Sequence, residues 1–528
     1  MTDTIKTVEV QVGGGKTYSI IQQIHEMTGI ILYACPTKKL VIGVYNSIEE
    51  RETTLTTEGL NPKEVLMVTD DNLDGFKRVT DRLKDIILDE ANSELIIVCT
   101  HAGIELISSE INESVERLGR EITVIIDELP NLFNASYHYA PSERVKHLSD
   151  VMDFDNDIPK IINRGGYEDL IRADFLDKNL VKQLKLILNN TVRTEPPPPR
   201  SGGMLFHGYE LKENLNRIMR VAKDVYLLAG TIEGTLDHII LQDIWNYTLE
   251  PCEKTLGMID HDNLKQRGLN IKVTPLLDSD YSWSKGSGKS SGDLTVDSIT
   301  CIKPMLDKAL EIIGDNQAIV SINTWANAMV TEYLKEHSNI KILPPNVKGL
   351  NDYQGIQYAC AIYSAKPKRE TRLSLELLAE KYNLPSLIDA HSLQIELDSV
   401  VQIFGRTSIR DKDSTKTCHF IVSDQRQARH VVKTLTGSLA HYKNIVDESY
   451  MVNWQSFSGI KMGRPLEQAK QDRLAEMTKY IDDSLSQGTK PSTKELMLKY
   501  GISEGQVSKD KKEIARRKLS NNPLEKVA

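Results

Sequence analysis

The run Gly13-Gly14-Gly15-Lys16-Thr17 combines residue types and spacing that suit phosphate chemistry. Strand-like Val8–Val12 leads into it, and a helical segment follows from Tyr18. A strand, a Gly-rich turn and a helix start form a cradle in which backbone N–H groups close around a β-phosphate. Gly13, Gly14 and Gly15 are expected to wrap the phosphates, Lys16 to neutralise the β and γ oxygens, and Thr17 to ligate Mg2+. Val10 stands where the fuller signature has its first glycine, and a flexible Gly-rich turn is the plainer alternative. Hydrolysis also needs an acidic pair at the end of another strand. Ile122-Thr-Val-Ile-Ile-Asp127-Glu128 supplies one: Asp127 to hold the magnesium, Glu128 to orient and deprotonate the attacking water. ATP and Mg2+ are the cofactors this pairing implies. A second Gly/Lys run, Lys285-Gly-Ser-Gly-Lys289-Ser290, has no apolar strand before it and reads as part of the flexible Ser279–Asp293 loop.

Elements of a definite kind must position these groups. Ile30–Tyr33, Val65–Val68, Leu95–Cys99, Ile122–Ile126, Val225–Leu228, Ala318–Ile322 and Ala359–Tyr363 are short apolar runs separated by longer helical-looking segments. Continuous apolar runs fit strands covered on both faces, so the pattern predicts parallel α/β sheets in two halves. Ligands of such sheets bind at the carboxyl ends of the strands. Asn134 to about Arg220 interrupts the pattern as a polar, helical insertion containing a rigid spacer, Pro196–Pro199.

With 528 residues, 40% hydrophobic and 26% charged, the chain has the balance of a soluble globular protein of about three domains. It shows no membrane span and no signal-peptide pattern. The six cysteines lie far apart without a C-x-x-C pair, which predicts reduced thiols and a cytoplasmic protein, of a bacterial or host cell. Charge is uneven. From Lys461 to Ala528 there are 15 Lys or Arg against 10 Asp or Glu, or +5, which leaves −14 for the rest of a chain of net −9. A basic tail on an acidic body suits a polyanion.

Several further runs, taken in order, resemble the motifs of superfamily-two helicases across roughly residues 8–425. Tyr33-Ala-Cys-Pro36-Thr37 and Val98-Cys-Thr100-His101-Ala-Gly103 are similar to two strand-gripping motifs, which puts Thr37 and Thr100 on the phosphates of a nucleic acid. Leu228-Ala229-Gly230-Thr231 resembles the motif that couples hydrolysis to domain movement. Asn323–Ala326 falls where motif IV would lie, and Lys348–Gln354 where motif V would lie. Gln402-Ile-Phe-Gly405-Arg406-Thr-Ser-Ile-Arg410 resembles motif VI, with its last arginine displaced by one residue. The resemblance implies two RecA-like domains in tandem, with Gln402 and Arg406 reaching the γ-phosphate from the second. It leaves open whether Arg410 is a second arginine finger. Arginine suits that role because its planar fork stays charged and can bond two oxygens. Leu129-Pro130 after the acidic pair departs from the DEAD-box RNA helicases. The compact motif order is closer to herpesvirus-type origin-binding helicases and their phage or plasmid relatives.

In the tail, Ser492-Thr-Lys-Glu495 and Ser503-Glu-Gly-Gln506 are capping boxes that open two short helices around Gly501. The stretch resembles the helix-turn-helix of bacterial regulators. That implies Gln506, Ser508, Lys509, Lys511 and Lys512 in a major groove and Arg516 and Arg517 on phosphates, with Arg464 of Gly463-Arg464-Pro465 as a minor-groove arm. A helical hairpin for oligomerisation is the alternative.

The expectation is an α/β chain with two tandem RecA-like parallel-sheet domains, at 1–245 and 246–450, and a small all-α helix-turn-helix domain at 451–528. The function expected is an ATP-dependent DNA helicase or translocase, a replication initiator of a phage or mobile element. It would hold single-stranded DNA in the motor cleft and duplex at the tail, and would have a second copy or replication proteins as further partners. The alternatives are a nucleotide-switched DNA-binding regulator and a DNA-packaging translocase.

Overall fold

The computed structural model describes residues 3–452 except 74, 155–157, 173–175, 190, 196–202, 279–301 and 346–352, and in the tail 466–486, 489, 491–500, 507, 508, 510, 511 and 514. Residues up to Asn453 form one compact unit and the remainder a second.

Seven strands make the first sheet. From one edge they run Thr248–Pro251, Thr4–Glu9, Asp224–Ala229, Ile122–Asp127, Ile30–Cys35, Leu95–Thr100 and Glu64–Met67, every pair parallel. Ile30–Cys35 and Ile122–Asp127 are buried at every position. Alternate residues feed two cores: Ile30, Leu32, Val124 and Leu227 on one face, Ile31, Tyr33, Ile125 and Leu228 on the other. This two-sided burial is why these strands read as unbroken apolar runs. The second sheet is also all parallel, in the order Ile271–Leu277, Cys418–Asp424, Tyr358–Ile362, Ala318–Ile322, Ile340–Leu343. The two tandem parallel-sheet halves, RecA-like in class, are therefore present. Thr248–Pro251 belongs to the first sheet, so that half extends past the expected division at residue 245.

The polar, helical insertion needs correcting. Phe133–Ala140, Met204–Leu211 and Val192–Glu195 form a three-stranded antiparallel sheet, and a two-residue ladder joins Met152–Asp153 to Lys160–Ile161. Three helices, Ser142–Ser149, Arg164–Arg172 and Lys178–Ile187, complete it around a core that includes Tyr167, Leu180, Leu184 and Phe206. Helix Arg369–Tyr382 of the second half docks against this sheet. Ser374 Oγ donates to the Gly208 carbonyl at 2.7 Å, Arg193 pairs with Glu380 at 2.5 Å, and Arg369 pairs with Glu195 at 2.9 Å. Two parallel-sheet halves are thus joined by a side bridge as well as by the chain. Pro196–Pro199 and the Lys285–Ser290 run lie outside the described residues.

Helix His261–Leu269, between the sheets, packs closely against helix Gln425–Thr436. A Cβ on Gly268 would lie 1.8 Å from the Leu435 carbonyl oxygen, so the two backbones meet with no room for a methyl group. Gly268→Ala is expected to lower stability by about 1–3 kcal/mol through overpacking, read as a lower unfolding midpoint. An unchanged midpoint would show that the helices slide apart at no cost.

Taken by itself, the tail unit has helices Leu466–Ser486 and Thr493–Tyr500, with Leu474, Met477, Leu496, Val507 and Ile514 buried together. The first capping box forms as expected: the Glu495 N–H donates to Ser492 Oγ at 3.1 Å, and the Ser492 N–H donates to Glu495 Oε2 at 3.4 Å. Ser508 is exposed, and Arg473 pairs at 2.9 Å with Asp510, which is buried. Arg464, Gln506, Lys509, Lys512, Arg516 and Arg517 lie outside the described residues, as does the second capping box. The five described cysteines are free and buried. Among the described residues no helix is long and apolar enough to cross a membrane.

Candidate functional site

Strand Thr4–Glu9 ends one strand short of the acidic pair: Asp224–Ala229 lies between it and Ile122–Asp127. The Gly-rich turn therefore opens at the same edge as Asp127 and Glu128. Gly13 and Gly15 have φ values of 78° and 84°, a left-handed conformation that glycine adopts without strain, and Gly15 caps helix Lys16–Ile21. The first turn of that helix carries N–H groups that no preceding turn can satisfy.

The side chains close around this turn. Thr17 Oγ1 lies 3.1 Å from Asp127 Oδ2, and Lys16 Nζ lies 3.0 Å from Glu128 Oε1. Tyr33 OH donates to Asp127 Oδ2 at 3.3 Å, and His101 Nε2 meets the Asp127 carbonyl at 3.0 Å. Burial drives the Asp127 carboxyl up to about 6, against the pull of Lys16. Burial pulls the Lys16 ammonium down, but Glu128 and Asp127 outweigh it, and its pKa is raised on balance. Glu128 has φ 68°, a conformation rare outside glycine and asparagine, and this kink turns its carboxylate back toward Lys16.

The second half supplies the opposite wall. Helix Asp398–Phe404 and the short 3-10 turn Ser408–Arg410 bring Gln402, Arg406 and Arg410 to a cavity of about 640 Å³ also lined by Gly13–Thr17, Asp127, Glu128 and Gln354. That volume is in the range of small-ligand sites. Gln402 Nε2 reaches Glu128 Oε2 at 3.4 Å. Burial lowers the Arg406 guanidinium to about 10, with Arg410 beside it pushing the same way and Glu128 opposing. Burial also lowers Arg410, while Glu128 and Asp127 hold its charge. Two arginines crowded at one wall leave a concentrated positive potential facing the P-loop. The contact between halves is tight. A Cβ on Gly405 would stand 2.2 Å from Val12 Cγ1, and one on Gly13 would stand 2.9 Å from Arg410 Cγ. Arg267 ties the turn in place, donating to the Ile409 carbonyl at 2.7 Å and to the Gly13 carbonyl at 3.4 Å.

The donor set suits a nucleoside triphosphate with a divalent cation. Thr17 and Asp127 offer hard oxygens side by side, and among the described residues no group of three or more His, Cys, Asp or Glu is placed to hold a metal ion by itself. Magnesium is typically held in this way, by one or two side chains with the substrate's phosphates completing its shell.

Thr37 and Thr100 sit at the carboxyl ends of paired strands, where Cys35 faces Thr100. Their hydroxyls cap helices, accepting from the Leu40 N–H at 3.3 Å and the Gly103 N–H at 3.2 Å, so local structure alone accounts for both residue types. Asn323 is buried and bonds the Ser364 backbone, joining two strand ends. Residues 348–352 lie outside the described residues, but Gln354 lines the cavity. The sequence reading missed Tyr33, His101 and Arg267. Tyr33 and His101 stand inside the quoted motif runs and could have been assigned, whereas Arg267 has no local signal.

No family model matches the sequence, and no curated protein is similar to it. Among solved structures, the chain is similar to Xpd4 of S. tokodaii, with 12% identity, 85% of this chain and 95% of that one covered, and a TM-score of 0.45. It is also similar to S. cerevisiae Dbp5 bound to RNA and ADP BeF3, with 10% identity, 87% of each chain covered and a TM-score of 0.34. A DEAD box protein from the hyperthermophile Methanococcus jannaschii matches at 10% identity over 82% of this chain and 86% of that one, with a TM-score of 0.28.

Proposed function

We propose that the chain is an NTP-driven nucleic-acid motor, an ATP-dependent DNA helicase or translocase whose tail recognises duplex DNA. One observation carries this reading: Gln402, Arg406 and Arg410 of the second half line the same cavity as Lys16, Asp127 and Glu128 of the first. A site assembled from two halves changes whenever they move, and that is what links hydrolysis to movement along a track.

In this reading Lys16 leaves Glu128 to meet the β and γ oxygens, and the helix start holds the phosphates. Bound Mg2+, held by Thr17 and Asp127, would neutralise charge on those oxygens. Lys16's departure leaves Glu128 with Gln402 as its neighbour, oriented to take a proton from the attacking water. Arg406 and Arg410 meet the charge that builds on the transferring group. Thr37 and Thr100, at the strand ends, border the track for a single strand.

The tail supports a duplex contact through its charge of +5 and its compact helical core. A motor that grips phosphates needs no base recognition, so such a tail fits loading at chosen sites. That is the role of a replication initiator on a phage or mobile element.

The test is NTP hydrolysis by the full chain with no nucleic acid, single-stranded DNA, duplex DNA or RNA. Stimulation by single-stranded DNA is expected. Stimulation by RNA alone would move the track to RNA, and binding without turnover in any condition would make the chain a nucleotide-switched regulator. Deleting residues after Met451 is expected to weaken duplex binding while sparing stimulated turnover, and unchanged duplex affinity would remove the tail from recognition. In the full chain, Lys509→Ala with Lys512→Ala should flatten the salt dependence of duplex binding by about one unit per lost phosphate contact.

A further inference from the structure

The loop that follows the acidic pair is held in an unusual shape. Within five residues, two that are not glycine adopt positive φ, Glu128 at 68° and Asn131 at 54°. Such a shape persists only where surrounding contacts impose it. The contacts come from Asp237, which is fully buried: its Oδ2 accepts the Asn131 N–H at 2.9 Å and its Oδ1 accepts the Leu132 N–H at 2.8 Å.

The same aspartate faces the second half. Its backbone N–H donates to Gln394 Oε1 at 2.8 Å, and Gln394 Nε2 donates to Asn131 Oδ1 at 3.0 Å. Three of these bonds close a ring through Asp237, Gln394 and Asn131, and the fourth ties Leu132 to it. Gln394 lies in a π-helical turn, Leu393–Leu397, and Asp237 comes just before another, Ile240–Ile244. π-turns of this kind displace the residues after them and recur at functional sites.

Helix Asp398–Phe404 continues directly from the turn that carries Gln394 and bears Gln402. The two glutamines are about two turns apart, roughly 12 Å along the axis. One rigid segment of the second half thus touches both kinks of the loop, Gln394 at Asn131 and Gln402 at Glu128. Helix Leu387–Ser392 leads into that segment, and the helix before it, Arg369–Tyr382, docks on the insertion through Ser374, Glu380 and Arg369. A displacement of the insertion can therefore reach Glu128 through this stretch of chain and the side chains of Gln394 and Gln402.

We propose that Gln394, Asn131 and Asp237 form a positioning lock that sets the Glu128 carboxylate according to where the second half stands. Resting on the NTPase reading above, the lock makes hydrolysis conditional on the pose of the insertion and of helix Arg369–Tyr382. Apolar contacts could hold the halves together but could not fix the direction of the loop. A closed ring of hydrogen bonds does so, because misalignment leaves the buried Asp237 carboxylate or the buried Gln394 amide without its partner.

The test uses the full chain and three variants. Gln394→Met keeps the length and removes both side-chain bonds. Asn131→Gly keeps the positive φ without strain and removes the acceptor oxygen. Asn131→Asp keeps that oxygen, and its added charge is solvated because Asn131 is exposed. Gln394→Met and Asn131→Gly are expected to lower kcat about tenfold with nucleotide KM within about twofold, the signature of an interaction that matters in the transition state. Asn131→Asp is expected to stay within about threefold of the native chain. Native kcat in Gln394→Met, or equal loss in Asn131→Asp, overturns the proposal. If the native chain hydrolyses no nucleotide, the activity reading has failed by itself, and the lock is judged by amide exchange. Gln394→Met should then speed exchange at Asn131 and Leu132 about tenfold or more, and unchanged exchange overturns the lock independently.

Discussion

Lys16→Ala is expected to abolish NTP turnover in a chain that still folds, and Glu128→Gln to abolish turnover while nucleotide binding persists or tightens. The two differ because of the ion pair between them, 3.0 Å long and largely buried. A short helix start alone cannot neutralise a triphosphate, so losing Lys16 removes much of the binding and the first half's own cation at the β and γ oxygens. Losing the Glu128 charge removes the base, for which a drop of roughly 10²–10⁴-fold is typical. It also releases Lys16 from a competitor. Nucleotide must displace Glu128 from Lys16 to bind, so the neutral glutamine lowers that cost, and the expected Kd is equal to or below that of the native chain. Equilibrium binding of a fluorescent nucleotide with steady-state turnover checks both. Turnover retained in a folded Lys16→Ala chain would move the site elsewhere. Binding lost in Glu128→Gln would make Glu128 a structural partner rather than the base.

The parts of this site that were legible in the sequence are those whose signal is local. Ile30–Cys35 and Ile122–Asp127 are buried on both faces, so each reads as an apolar run, and its end marks the functional edge. Glycines at 13 and 15 announce a backbone that only glycine adopts easily. Thr248–Pro251 escaped notice because an edge strand with exposed residues has no pattern to show. The strand before the Gly-rich turn was placed late, at Val8–Val12 instead of Thr4–Glu9, because buried Val10 and Val12 carry its apolar alternation past the strand's end. The insertion misled for a different reason. Phe133–Ala140 alternates polar and aromatic residues, and its sheet is covered in part by a helix that lies more than two hundred residues later in the chain. No local periodicity records such a partner. The same holds for Asp237 and Gln394, whose roles arise only when the two halves meet.

The displaced arginine of the Gln402–Arg410 run sets the other large expectation. Arg406→Ala and Arg410→Ala are each expected to cost about 10³-fold or more in turnover, with nucleotide affinity changed far less. Helix Asp398–Phe404 does not itself carry either arginine. Gly405 ends that helix, and the 3-10 turn Ser408–Arg410 takes up the extra residue. Arg267 holds the turn through the Ile409 carbonyl and reaches the Gly13 carbonyl. Arg410 thereby packs on Gly13 while Arg406 stands within reach of Glu128, so both guanidiniums face the same cavity. Arg406 is buried and Arg410 partly so; burial and Arg410 lower the pKa of Arg406, while Glu128 and Asp127 across the cavity favour the charged forms. Negative charge that builds between the two guanidiniums further offsets their mutual repulsion, which favours the more highly charged transition state over the ground state. The double variant should therefore lose less than the product of the single losses, because removing one arginine also removes the strain on the other. Normal nucleic-acid-stimulated turnover in both single variants would sink the two-half mechanism. Loss in Arg406→Ala alone would leave Arg410 as a packing residue for the P-loop.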